Sequence, residues 1–117
     1  MDKSKEILSD ITVHMKYAKY LPTKERRETW RELVHRNKHM HWKTYEHLGE
    51  GFKKEIQENY EYVYNKQVLP SMRSMQFAGK PIELAPNRIY NCAYLPIDHE
   101  LSFSETMFLL LGGTGVG

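Results

Sequence analysis

"RIYNCAYLPID", residues 88–98, is the stretch on which the reading of the fold turns. It holds the single cysteine, Cys92, in a run of β-favouring side chains that Pro96 closes. Its pattern predicts a strand over 88–95. Tyr90, Cys92 and Tyr94 would share one face, and Ile89, Asn91 and Ala93 the other. Next comes "SFSETMFLLLGGTGVG" (102–117), which predicts a helix. Ser102 and Glu105 stand at the S-x-x-E spacing of a capping box, directly before the apolar run Met107–Leu111. Gly112 and Gly113 would stop that helix. A helix apolar nearly all round asks for burial on all sides. A 117-residue chain has little surface to cover it, so the expectation is that the chain is one piece of something larger.

Working outward toward the N-terminus, "PSMRSMQFAG" (70–79) offers Met72, Met75 and Phe77 as anchors and Gly79 as a turn, and "KPIELAPNR" reads as a Pro-rich connection. Phe52, Ile56, Tyr60, Val63, Tyr64 and Gln67 step by three or four, which predicts a helix over 52–67. Residues 39–50 read as irregular. Trp30, Leu33 and Val34 predict an amphipathic helix over 24–38, with Thr23 as its cap and Glu25 in its first turn. Residues 1–22 are ambiguous: the first half suits a helix, while Ile11, Val13, Met15 and Tyr17 alternate.

Composition excludes several classes. The formal net charge is only +2, and acids interrupt the densest basic run, Lys24–Glu28, so a nucleic-acid footprint is not expected. One cysteine cannot form an internal disulfide. The longest apolar run, Met107–Leu111, falls far short of the ~20 residues of a membrane span. No apolar signal region follows the N-terminus, and a reducing cytosol is the expected compartment.

Taken singly, the candidate motifs carry little chemistry. His35 and His39 lie four apart with His41 close by and Glu32 a turn earlier, a spacing that can hold a metal. No cysteine is near them, and Arg36, Lys38 and Lys43 crowd them with positive charge. They read as surface histidines, and no metal is expected. "GGTGVG" lacks the Gly-Lys-Ser/Thr of a P-loop, and its helix comes before it rather than after, so by itself it is a helix-ending turn. By itself, too, Cys92 reads as a small apolar filler.

Together these pieces do more. "YAKYLPTKERRETWRELVHR" (17–36), "VLPSMRSMQFAG" (68–79), "PNRIYNCAYLPID" (86–98) and "SFSETMFLLLGGTGVG" (102–117) occur in an order that resembles the N-terminal part of an adenosylcobalamin-dependent (class II) ribonucleotide reductase, over about residues 17–117. The resemblance implies an α/β fold: an N-terminal helical region (1–68), then the first strand and helix of a ten-stranded α/β barrel (69–117). It implies that Cys92 is one of two thiols that reduce the substrate and emerge as a disulfide. Ser71, Asn91, Cys92 and Gly115 would line the substrate pocket, with Gly115 allowing close approach, and Asp98 would fall in the effector region. The implied partners are a ribonucleoside triphosphate (or diphosphate), a thioredoxin-type reductant and the remaining catalytic portion of the enzyme, which would bind the adenosylcobalamin. The radical-bearing cysteine and the cysteine pair that re-reduces the site have no counterpart in these residues. The expectation is therefore an N-terminal fragment that makes deoxyribonucleotides for DNA synthesis only with its remainder. Two alternatives stay open. One is the large subunit of a di-iron (class I) reductase. The other is a non-catalytic helical interaction module that docks through Leu109–Leu111.

Overall fold

The computed structural model describes residues 2–117. Helix α1 (Lys3–Lys16) is capped by the Asp2 carboxylate, which accepts from the Ser4 amide at 3.3 Å. The alternation over residues 11–17 thus belongs to a helix, whose apolar side chains stay largely outside: Ile7, Leu8, Ile11 and Met15 are all exposed. Strands β1 (Tyr20–Leu21) and β2 (Arg26–Arg27) form a two-residue antiparallel ribbon around a short 3-10 turn, Pro22–Lys24, closed by Glu25 at φ 51°.

Helix α2 spans Trp30–Thr44, which corrects the expectation of a helix over 24–38 capped by Thr23. Thr29 is the cap. Its hydroxyl accepts from the Glu32 amide, and the Glu32 carboxylate accepts from the Thr29 amide, a complete capping box. The T-x-x-E pattern stands at Thr29, six residues beyond Thr23. Lys24 and Arg26 also pair with Glu32 and hold its carboxyl well below the usual range, Arg26 contributing most. Helix α2 also runs through residues expected to be irregular, because Met40 packs inward on the same face as Leu33, Val34 and Asn37.

Helix α3 (Glu50–Tyr64) folds back along α2. The Trp30 indole N–H donates to the Tyr64 carbonyl at 3.0 Å, so the start of α2 lies beside the end of α3. Helix α4 (Met72–Phe77) closes this pair. The core is Ala18, Leu33, Val34, Ile56, Tyr60, Val63 and Met75, ringed by Tyr17, Trp30, Trp42, Phe52 and Tyr64. Of the three expected anchors in α4, Met75 is buried, Phe77 is half-buried and Met72 is exposed. Core packing therefore continues past the expected 68/69 boundary, as far as the fully buried Ala78.

The remainder is more loosely held. Helix α5 (Lys80–Leu84) and a 3-10 turn (Pro86–Ile89) occupy the expected connection. The strand expected over 88–95 shrinks to β3 (Cys92–Ala93), with Tyr90, Cys92 and Tyr94 all exposed as one face. Helix α6 spans Ser102–Leu111 without the expected capping box. Ser102 is its first residue, and its fully buried hydroxyl accepts from the His99 amide at 3.4 Å. After Gly112 and Gly113 the chain enters β4 (Gly115–Val116), which pairs in parallel with β3. The radius of gyration is 17.3 Å, where about 13 Å suits a compact domain of this length.

Candidate functional site

The predicted site residues come from three places in the chain. Asn91, Cys92 and Gly115 are brought together by β3 and β4. Cys92 stands opposite Gly115, the Gly115 amide donates to the Asn91 carbonyl at 2.9 Å, and the Gly117 amide donates to the Ala93 carbonyl at 2.9 Å. Thr114 is almost fully buried, and its hydroxyl donates to the Tyr90 carbonyl at 3.4 Å, tying the second strand to the start of the first. Two motifs more than twenty residues apart thus become neighbours in a β-α-β unit. The Cys92 thiol is free and exposed rather than a core filler.

Close approach of backbone falls elsewhere than expected. A Cβ placed on Gly115 would sit 3.7 Å from the Asn91 carbonyl oxygen, an ordinary contact. A Cβ on Gly112 would meet the Asn87 side-chain amide, which would have to swing aside, so within the chain the closest approach is at Gly112.

Ser71 is set by a different device. It caps α4, its hydroxyl accepting from the Ser74 amide at 3.1 Å. Ser74 is held in turn by Asn37, whose side-chain amide donates to the Ser74 hydroxyl at 2.9 Å and the Ser74 carbonyl at 3.0 Å. The Tyr60 hydroxyl donates to the Asn37 side-chain oxygen. Burial pushes the Tyr60 phenol well above its ordinary value, with Tyr64 adding to the effect, so it stays a protonated donor. The other end of α4 is clamped too. Buried Glu28 receives the Arg36 guanidinium through two bonds of 2.9 Å, and Arg36 and Lys19 both donate to the Ala78 carbonyl, at 2.9 and 3.2 Å. Burial lowers the Lys19 pKa; Arg36 lowers it further, and Glu28 opposes them.

Sequence reasoning missed Asn37, Tyr60, Glu28 and Arg36 as the supports of this turn. The signal for Asn37 was present. It follows Leu33 by four and Val34 by three, on the apolar stripe, where a polar side chain must find partners.

Asp98 stands apart from the other four. Its carboxylate accepts from the Ser102 hydroxyl at 3.5 Å and lies 3.5 Å from the His99 ring at the entrance to α6. It shares no hydrogen bond with Ser71, Asn91, Cys92 or Gly115 among the described residues. His35 and His39 stack with centroids 6.2 Å apart, and among the described residues no group of three side chains is arranged to hold a metal ion. No helix among the described residues is long and apolar enough to cross a membrane. No family model, curated protein or solved structure matches the chain.

Proposed function

We propose that the chain is the N-terminal part of a class II ribonucleotide reductase acting in a reducing cytosol, and that Cys92 is one of its two reducing thiols. The single observation that carries this reading is the parallel β3–α6–β4 unit. It sets the exposed Cys92 thiol opposite Gly115 and beside Asn91, joining the two motifs on which the resemblance rests. A parallel pair with a helical crossover is also the repeating unit of an α/β barrel. The exposed apolar side of α6, with Phe103, Met107, Phe108 and Leu111, suits a helix that the rest of such a barrel would cover.

In this reading the ribose 2′-hydroxyl leaves as water and a hydrogen takes its place. Two thiols lose two electrons and two protons and join as a disulfide. Cys92 supplies one thiol, and the other comes from outside these 117 residues. Ser71, held from below by Asn37 and Ser74, presents its hydroxyl to the substrate. Adenosylcobalamin would be bound by the remaining portion of the enzyme, where it would supply the radical.

The test is complementation. The chain is combined with the downstream portion of the reductase, adenosylcobalamin, a dithiol reductant and a ribonucleoside triphosphate. Multiple-turnover 2′-deoxynucleotide formation is expected, and Cys92→Ser should abolish it. Undiminished turnover by Cys92→Ser, or a source genome that encodes no reductase remainder, overturns the proposal.

The same α6 surface supports a second reading, a non-catalytic helical interaction module. It requires a monodisperse, folded 117-mer that binds no ribonucleotide.

A further inference from the structure

A cleft of about 440 Å³ lies where α1, α4 and the approach to β3 meet. Its lining is Met15, Lys16, Tyr17, Met72, Arg73, Gln76 and Asn91. Four of these carry nitrogen donors, two carry a permanent positive charge near neutral pH, and none carries a carboxylate.

The donors are also unspent. Among the described residues the Lys16 ammonium makes no ion pair, as is also true of Lys5 and Lys80, whereas Lys24, Lys43, Lys53, Lys54 and Lys66 all do. Arg73 commits one N–H to the Arg88 carbonyl, at a long 3.3 Å, and rests its guanidinium 5.9 Å from the centre of the Phe77 ring. That leaves four of its five N–H groups for a ligand. The side-chain amides of Gln76 and Asn91 have no hydrogen-bond partner among the described residues. The remaining wall is apolar and aromatic: Met15, Tyr17 and Met72.

We propose that this cleft binds a phosphate monoester, with Lys16 and Arg73 on the phosphate and Met15, Tyr17 and Met72 against the esterified group. A phosphate offers three acceptor oxygens and about two negative charges, which matches a guanidinium fork plus a point charge. Gln76 and Asn91 supply the neutral donors that a tetrahedral anion accepts beside them. The volume falls within the range of small-ligand sites. The cleft does not rest on the reductase reading: neither Cys92 nor Gly115 lines it, and Asn91 is the one residue in common.

The probes are phenyl phosphate, inorganic phosphate and phenol, titrated into the intact 117-residue chain at low ionic strength. The readouts are calorimetry and the side-chain amide NMR signals of Gln76 and Asn91. Saturable binding is expected for both phosphates, tighter for the ester, with both amide signals moving, and none for phenol. Lys16→Ala and Arg73→Ala should each weaken phenyl phosphate by about tenfold, the size of one charged hydrogen bond. Added salt should weaken it further. If Arg73→Ala disturbs the fold, Lys16→Ala and Gln76→Ala keep the test open, since both side chains are exposed. Absence of saturable phosphate binding, unchanged affinity in Lys16→Ala, or equal binding of phenol overturns the site. Equal affinity for the two phosphates overturns the role of the apolar wall.

Discussion

Residues 18–78 and residues 80–117 are built by different means. The first part contains nearly every buried side chain: Leu33, Val34, Asn37 and Ala78 are fully buried, and Glu28 and Met75 are nearly so. In the second, Ser102 and Thr114 alone are buried among the described residues, while Ile97, Leu101, Phe103, Met107, Phe108 and Leu111 face outward. The first part is held by side chains that interlock across helices. The second is held chiefly by backbone hydrogen bonds of turns and of the β3–β4 pair. The β-α-β unit thus takes its shape from backbone pairing, while its apolar surface stays exposed. What differs between the regions is not hydrophobicity, which α6 has in excess, but the presence of an opposing surface.

The largest expected effect comes from Arg36→Ala. It leaves the Glu28 carboxylate, whose side chain is 5% exposed, with the Lys19 amide as its remaining hydrogen-bond donor and no bonded cation. The expected loss is about 3–5 kcal/mol, measured by urea unfolding. A loss under a third of that would mean that Glu28 is solvated and that the clamp on Ala78 is weak. Next comes a matched pair of truncations. Leu33→Ala, at a fully buried site, should cost about 2–5 kcal/mol. The same change at Leu111, which is 81% exposed, defines the lower end of the scale and is taken up last. Thr29→Ala removes one half of the capping box of α2 and should cost about 1 kcal/mol.

A pH effect is expected in the first region. Burial holds the His41 pKa below 6.5, so the folded state favours the neutral ring. The sign follows: the contribution is complete above the unfolded value and is lost as pH falls through the lowered folded value. Unfolding followed by Trp30 and Trp42 fluorescence should therefore become easier on acidification, and His41→Gln should flatten that dependence. An unchanged pH slope in the variant would remove His41 as its source.

The smallest effect is expected at the exposed end of the scale. Leu111→Ala should change stability by less than about 0.5 kcal/mol while raising the concentration at which the chain stays monodisperse. A cost like that of Leu33→Ala would erase the contrast between the regions and mean that α6 is already covered.

Much of the first region was legible. The helix expected at 52–67 appears as α3 over Glu50–Tyr64, because Ile56, Tyr60 and Val63 repeat at helical spacing and all find the core. Helix α2 starts at Trp30 rather than near residue 24, although Pro22-Thr23 has the pattern of a helix opening. Glu25 instead turns into the left-handed region, and Arg26–Arg27 pairs back on Tyr20–Leu21. The capping pattern at Ser102 misled for a related reason: a serine hydroxyl can serve a turn from inside the helix, as this one does for His99.

The sequence by itself determined local matters: the helical stripes of α2 and α3, the apolar run of α6 and the stop at Gly112-Gly113. These depend on spacing and on backbone preference, which neighbouring residues settle among themselves. Tertiary structure alone decided that Asn37 reaches Ser74, that Arg36 and Lys19 meet at the Ala78 carbonyl, and that Cys92 faces Gly115 in parallel register. Each joins groups 23 or more residues apart. Such pairings form only when the fold brings two distant segments together, and around Asn37, Arg36 and Ala78 burial also leaves the polar groups little solvent to bond with instead.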